Sequence, residues 1–331
     1  MRSIRISRRS FLAASAVGVA SWPLAAFADE QNQAAHSKNS RKGTSIGLAL
    51  GSGGANGLAH IPMLEVFDEL GIVPKIIAGT SIGAVIGALY ASGLSGSDLR
   101  RLALDFASED KHIMSTLIQG NMGLSLLDLI RPDLDNGGLL DSQGFLDFLH
   151  EKIRVSTFEE LAIPLMVVAA DYWKREQVVL DQGQLIPAIK ASMAVPGLFA
   201  PVSVNGRLLV DGGTVNPLPF DLLHDRCDLI VAVDVSGGMT EPTELTEDKP
   251  DVLDSLFNTF EIMQRAITAE KMKYREPDIF IRPETSGIRL LHFHKAEQIF
   301  AQSRSAAQML KTALSERFAS QPDILRMGWF F

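Results

Sequence analysis

Ser81 stands in Gly79-Thr80-Ser81-Ile82-Gly83, between the apolar run Ile76-Ile77-Ala78 and a longer one, Ala84-Val85-Ile86-Gly87-Ala88-Leu89-Tyr90. The first run reads as a strand and the second as a helix, so the serine falls on a tight strand-to-helix turn. A G-x-S-x-G turn of this kind holds a serine hydroxyl in a strained, exposed corner, because residues without a bulky Cβ on either side let strand and helix pack closely around it. The helix that starts there also aims its free N–H groups and the positive end of its dipole at the hydroxyl. The chemistry on offer is nucleophilic attack. The motif alone is weak evidence, and its weight depends on what surrounds it.

An attacking serine needs a site for the negative charge it creates. Leu48-Ala49-Leu50 runs straight into Gly51-Ser52-Gly53-Gly54-Ala55-Asn56-Gly57, after which a helix begins. A glycine-rich turn at a helix start offers convergent backbone N–H groups suited to an anion. A dinucleotide pyrophosphate fits poorly: Asn56 stands where the third glycine should be, and Lys75-Ile76-Ile77-Ala78-Gly79 brings no acidic residue for a ribose hydroxyl. The oxyanion of a tetrahedral intermediate fits better. In a parallel sheet, loops after neighbouring strands meet at one carboxyl edge, which sets the amides of Gly53 and Gly54 opposite Ser81.

The serine also needs a base. Of the seven histidines, His224, His292 and His294 come late enough for the Ser, Asp, His order of an α/β-hydrolase. That fold places several strands before its nucleophile, however, whereas Ser81 follows only the second core strand. His292 and His294 are spaced like one face of a strand, and His60 reads as structural. Leu208-Leu209-Val210 leads instead into Asp211-Gly212-Gly213 and then Asn216-Pro217-Leu218-Pro219. An aspartate at a strand end before two glycines is placed for catalysis at the same edge, although such turns also serve conformation alone.

Taken together, these pieces resemble the bacterial patatin-like phospholipases. The matching segments are Gly51 to Gly57 followed by Leu58-Ala59-His60-Ile61, Gly79 to Gly83, Ala194-Val195-Pro196-Gly197-Leu198-Phe199-Ala200-Pro201, and Asp211-Gly212-Gly213, in family order. The resemblance implies a three-layer α/β/α fold, and a lipid acyl hydrolase with a Ser81 and Asp211 dyad and no metal or organic cofactor. Two positions depart from the pattern: Asn56 stands where Arg or Lys is usual, and Pro62 where glycine is usual. The first removes a positive charge near the oxyanion. The second falls in a helix first turn, where proline is tolerated. An aspartate base starts with a pKa far below that of serine, so the dyad is expected to rely on orientation and exclusion of water.

The elements that must hold these residues alternate: strand Ile46 to Leu50, helix Gly57 to Leu70, strand Val73 to Ala78, helix Ser81 to Ser92. Strands follow at Leu165 to Ala170, Val178 to Leu180, Leu208 to Val210 and Leu229 to Val235. Such alternation predicts a mostly parallel sheet with helices on both faces. Residues 93–160, with helical amphipathic pieces and the apolar stretch Met114 to Ile130, are expected as a helical cap that sets substrate choice. Residues 44–235 form the catalytic core and 236–331 a C-terminal helical part, with a loop at Gly237 to Pro250 and helices near Val252 to Arg275 and Lys295 to Phe318.

Residues 1–28 carry Arg2, Arg5, Arg8 and Arg9, no acidic residue, a modestly apolar run from Phe11 to Ala26, and Ala26-Phe27-Ala28. This pattern predicts an export signal with cleavage after Ala28. Ser7-Arg8-Arg9-Ser10-Phe11-Leu12 resembles the twin-arginine address, which implies a bacterial periplasmic or secreted protein. Residues 29–43 read as a flexible lead. Cleavage removes four of 31 basic residues and none of the 39 acidic ones, leaving a formal charge of −12.

So acidic a body argues against nucleic acid as a partner and against general attraction to anionic lipid. Contact with a membrane surface would be local and apolar. The single Cys227 excludes an internal disulfide and reads as a small buried hydrophobe. No spacing suggests a metal site. The apolar tail Met327 to Phe331 is expected to dock on the body. The function expected is hydrolysis of lipid acyl esters, of phospholipase A or lysophospholipase type. The alternatives are a carboxylesterase on soluble short-chain esters and a non-hydrolytic lipid-binding envelope protein.

Overall fold

In the computed structural model, which describes residues 44–118, 138–140, 149–237 and 252–319, β1 (Ile46–Leu50) passes through a 3-10 turn at Gly54–Ala59 into α1 (His60–Glu69). There follow β2 (Ile76–Thr80), α2 (Ile82–Ala91), α3 (Gly96–Ile118) and β3 (Gly138–Leu140). The middle of the chain supplies β4 (Leu165–Asp171), β5 (Glu176–Leu180), α4 (Leu185–Ser192), β6 (Gly197–Phe199), β7 (Val202–Val204), β8 (Arg207–Asp211) and β9 (Leu229–Val233). The last part holds α5 (Val252–Met272), β10 (Ile279–Ile281), α6 (Ala296–Gln302) and α7 (Arg304–Ala319).

The central sheet runs in the order β10-β9-β1-β2-β4-β8-β7, with β5 also paired to β4. The pairs from β10 across to β4 are parallel, and β5, β7 and β8 join antiparallel. Strand periodicity divides the core in two. Ile46, Leu48 and Leu50 of β1 point into one cluster with Val231 and Val233 of β9 and the buried faces of α1, α2, α6 and α7. Ala49, Ala78 and Ala232 point the other way, against Phe220, Leu223 and Met272 of α5. On β1 and β9 the first face thus carries larger branched side chains, whereas the second mixes alanines with Ile230 and, on β4, Met166. The result is the three-layer α/β/α arrangement with a mostly parallel sheet expected from the sequence.

Several boundaries shift for physical reasons. β2 starts at Ile76 rather than Val73, since Val73 is exposed and Pro74 has no N–H for a ladder. It also runs to Thr80 and so delivers Ser81 directly. The helix expected from Gly57 opens as the 3-10 turn, and α1 proper begins at His60, which puts Pro62 within its first turn. α4 and β10 are additional to the expected elements: α4 is short and holds Pro187 in its first turn, and β10 is only three residues. Of residues 93–160, α3 contributes Leu99 to the main core, where Leu149 and Ile153 are also buried.

The export signal at 1–28, the lead at 29–43, most of the stretch Met114 to Ile130, the loop from 238 to Pro250 and the tail Met327 to Phe331 lie outside the described residues. No described helix is long and apolar enough to cross a membrane.

Candidate active site

The sheet register itself brings the two chemical residues together. β5 occupies one edge of β4 from Val167 to Asp171, so β2 and β8 must share the other edge end to end. Thr80 faces Val168, and Asp211 faces the next residue, Ala169. Ser81 and Asp211 therefore leave their strands at the same point, from opposite directions.

Ser81 is held at φ 54° and ψ −122°, a backbone conformation disfavoured for a residue with a Cβ. The neighbouring glycines are required by close approach: a Cβ on Gly79 would stand 2.6 Å from the Gly83 carbonyl, and one on Gly83 would stand 2.2 Å from the Leu50 carbonyl. The Ser81 N–H donates to Ser192 Oγ at 2.9 Å, and Ser192 donates in turn to the Val168 carbonyl at 2.6 Å. At the start of α2, the N–H groups of Ala84 and Val85 both reach the Ser81 carbonyl.

Asp211 is fully buried. Its Oδ1 accepts the Gly213 N–H at 2.6 Å, and its own N–H donates to the Ala194 carbonyl at 2.9 Å. Oδ2 has no aligned hydrogen-bond partner. The Ser81 hydroxyl lies near enough to act on the carboxyl and favour its ionised form. Burial dominates and pushes the Asp211 pKa up to about 7, against the lowering effects of Ser81 and the Gly213 amide. The weak base expected from residue type is thereby made considerably stronger.

The glycine loop is pinned on both sides of its two central residues. Gly51 N–H donates to Val233 O, Ser52 N–H to Pro217 O, and Ala55 N–H to Leu290 O. The N–H groups of Gly53 and Gly54 have no partner among the described residues. Gly54 has φ 54°, and a Cβ on Gly53 would lie 2.3 Å from the Val235 carbonyl. Gly57 touches the start of α2, where a Cβ would meet Ile82 at 2.3 Å. Gly212 lies against the Val168 carbonyl and Gly213 against Gln264, so every glycine singled out in the sequence sits in the assembly around Ser81.

Ser52, Gly53, Gly54 and Ser81 line one cavity, with an empty volume of about 1020 Å³ counting its open mouth. Its remaining walls are mostly apolar, with Phe257 and Phe260 coming from α5. No histidine lines it among the described residues. His60 is buried, its Nε2–H donates to the Gly51 carbonyl at 2.9 Å, and desolvation lowers its pKa to about 4. It is a neutral brace under the glycine loop.

His292 and His294 do not lie on a strand, contrary to their spacing. They flank and enter a 3-10 turn at Phe293–Lys295, where Phe293 packs against the main core. Asn56 is buried beside Gly237 and is not part of the cavity wall. Cys227 is half-buried, and burial raises its thiol pKa. No cluster of His, Cys, Asp or Glu among the described residues could hold a metal ion.

The family model for patatin-like phospholipase matches residues 48–224, more than half of the chain. The chain belongs to the patatin-like phospholipase family. It is 36% identical over 203 residues to an uncharacterized NTE family protein of Mycobacterium tuberculosis, covering 61% of this chain and 52% of the relative. It is 31% identical over 207 residues to human patatin-like phospholipase domain-containing protein 6, covering 62% of this chain and 14% of that protein. The chain thus spans about half the length of the mycobacterial relative. Among solved structures, VipD from Legionella pneumophila aligns with a TM-score of 0.41 and 15% identity over 80% of this chain and 67% of that one.

Two residues of this patatin-like site escaped the sequence reading. Ser192 carries the Ser81 amide, and its only cue was a serine shortly before the matched block at Ala194. The second is Gln264 of α5, which donates to Ser52 Oγ at 3.1 Å across 212 residues of chain. Nothing local marks it. The segment after Asp211 also does more than its turn residues suggest: Thr80 Oγ1 donates to Asn216 O at 2.8 Å, so residues 216 and 217 tie the end of β2 and the glycine loop to one another.

Proposed function

We propose that this protein hydrolyses lipid acyl esters, with Ser81 as nucleophile, Asp211 as general base and the Gly53 and Gly54 amides as oxyanion donors. The observation that carries the reading is the meeting of Ser81 and Asp211 on one edge of β4 beneath a mostly apolar cavity. Ser81 Oγ attacks the acyl carbonyl carbon while its proton passes to Asp211. The oxygen's negative charge is taken up by the two unpartnered N–H groups, aided by the N-terminus of α2. The intermediate collapses, the C–O bond to the alcohol breaks, and Asp211 returns the proton to the leaving oxygen. Water, deprotonated by Asp211, then attacks the acyl enzyme and releases the acid and Ser81.

The apolar walls favour a long acyl chain over a soluble short ester, and a phospholipid or lysophospholipid is the substrate class proposed. Such a substrate is drawn from a membrane surface or micelle. Asn56 was the feature favouring a non-catalytic lipid binder; its burial away from the cavity wall weakens that reading. The proposal includes export through the twin-arginine-like segment Ser7 to Leu12, for which replacing Arg8 and Arg9 by Lys should retain the protein inside a bacterial host.

The deciding experiment is hydrolysis of 4-nitrophenyl esters from butyrate to palmitate and of mixed phospholipid vesicles by wild type, Ser81→Ala and Asp211→Asn. Turnover by wild type with loss in both variants is the expected result. An inactive wild type, or a fully active Ser81→Ala, overturns it.

A further inference from the structure

A second cavity lies behind the first. Its empty volume is about 480 Å³ counting its open mouth, and every described residue lining it is apolar. On α2 its wall is Ile82, Val85, Ile86 and Leu89, one helical stripe that begins beside Ser81 and runs about 10 Å away along the axis. Facing it on α3 are Leu102, Ala103 and Phe106, again at helical spacing. The two cavities share Ile82, Val85, Phe106 and Phe293. Where they meet, the rings of Phe106 and Phe293 pack edge to face, with centroids 6.1 Å apart and planes at 87°.

Protein interiors are close-packed, and voids between apolar helix faces cost stability in proportion to volume. Apolar cavities that persist stay dry and take apolar ligands. A groove bounded by two matched helical stripes and continuous with the cavity at Ser81 has the form of a site for a chain. We infer that this inner cavity is the far compartment of the acyl-chain site, and that Phe106 and Phe293 form the partition that sets how long an acyl group is accepted. The inference rests on the ester-hydrolase reading for its link to turnover. Short acyl groups end in the outer cavity; long ones pass the aromatic pair and lie along α2 towards Leu89.

The test is the ratio of kcat/KM for 4-nitrophenyl palmitate to that for the butyrate, in wild type, Phe293→Ala and Ala103→Phe. Phe293→Ala removes the partition and should raise the ratio several-fold. Ala103→Phe fills the far compartment and should lower it by about tenfold or more, the scale of discrimination a hydrophobic pocket achieves per methylene or two. If wild type turns over both esters and neither variant moves the ratio beyond about twofold, on the same scale, the cavity is only a packing gap and the inference fails while the catalytic reading stands. Should Ala103→Phe not fold, Phe293→Ala carries the test alone.

A binding arm separates the two claims. Palmitate should raise the Tm of Ser81→Ala, and raise it less when Ala103→Phe is added to that variant. If wild type hydrolyses no ester, the catalytic reading fails, and the Tm shift still decides the cavity: present, it stands; absent, it falls.

Discussion

Ser192 Oγ accepts the Ser81 N–H and donates its own O–H to the Val168 carbonyl, so one hydroxyl fixes the Ser81 backbone to the strand beside it. All three residues are buried. Ser192→Ala leaves the Ser81 N–H and the Val168 carbonyl without partners, at a cost of about 2–6 kcal/mol if each contributes a typical desolvation penalty. The strained Ser81 conformation loses its main restraint outside α2. Chemical unfolding should show the stability loss, and steady-state kinetics should show kcat falling more than KM rises. A variant with unchanged kcat would mean that the glycine contacts alone hold the elbow.

Burial of Asp211 predicts the acid side of the pH–rate profile. As the proposed base, Asp211 must be ionised to accept the Ser81 proton, and its pKa stands at about 7 rather than in the usual carboxylate range. The kcat/KM for a soluble ester should therefore drop about tenfold per pH unit below that value, as for a single essential group. An acid limb near pH 4 would show that Asp211 is hydrated in the free enzyme or is not the base.

The same shift has a stability consequence of definite sign. Unfolded Asp211 ionises near its ordinary value of 3.8, whereas in the folded protein it holds its proton to about pH 7. Its contribution to stability is whole below about pH 4, shrinks as pH rises, and is lost above about pH 7, a total of about 4 kcal/mol at most. Asp211→Asn removes this titration and keeps an oxygen for the Gly213 amide. Relative to wild type, the variant should gain stability steadily between pH 4 and 7 and then level off. Urea unfolding at several pH values reads this directly, since the other titrating groups are common to both proteins.

The residues of the candidate site were more legible in the sequence than their supports. Ser81, Asp211 and the glycine loop each announce themselves through residue type at a chain reversal, where glycine has a local cause. Their meeting is a matter of register: β8 had to run antiparallel and stop opposite Ala169, which its residues do not encode locally. The raised pKa of Asp211 could not be read from its residue type, because burial is a property of packing. Gln264 was unreadable because its partner lies across the fold, and β10 because three residues carry no periodicity. His292 and His294 misled because period-two spacing over two residues cannot distinguish a strand from a turn.

Two glycines on α2 provide a matched pair. Gly→Ala in a helix interior is worth up to about 1 kcal/mol in favour of alanine when nothing obstructs the methyl group. At Gly87 the new Cβ would meet Ile77 Cγ2 at 3.2 Å, a side-chain methyl able to yield slightly, so Gly87→Ala should be neutral or mildly stabilising and leave the fold intact. At Gly83 it would stand 2.2 Å from the Leu50 carbonyl and 2.7 Å from that of Gly51, both backbone atoms fixed by the sheet. Relief requires α2 to move off β1, taking Ser81 with it, and overpacking of this kind costs about 3 kcal/mol or more, which outweighs the propensity gain. Gly83→Ala should therefore lower Tm and abolish ester turnover while Gly87→Ala does neither. Equal effects at the two positions would show that the elbow does not depend on contact between α2 and the end of β1.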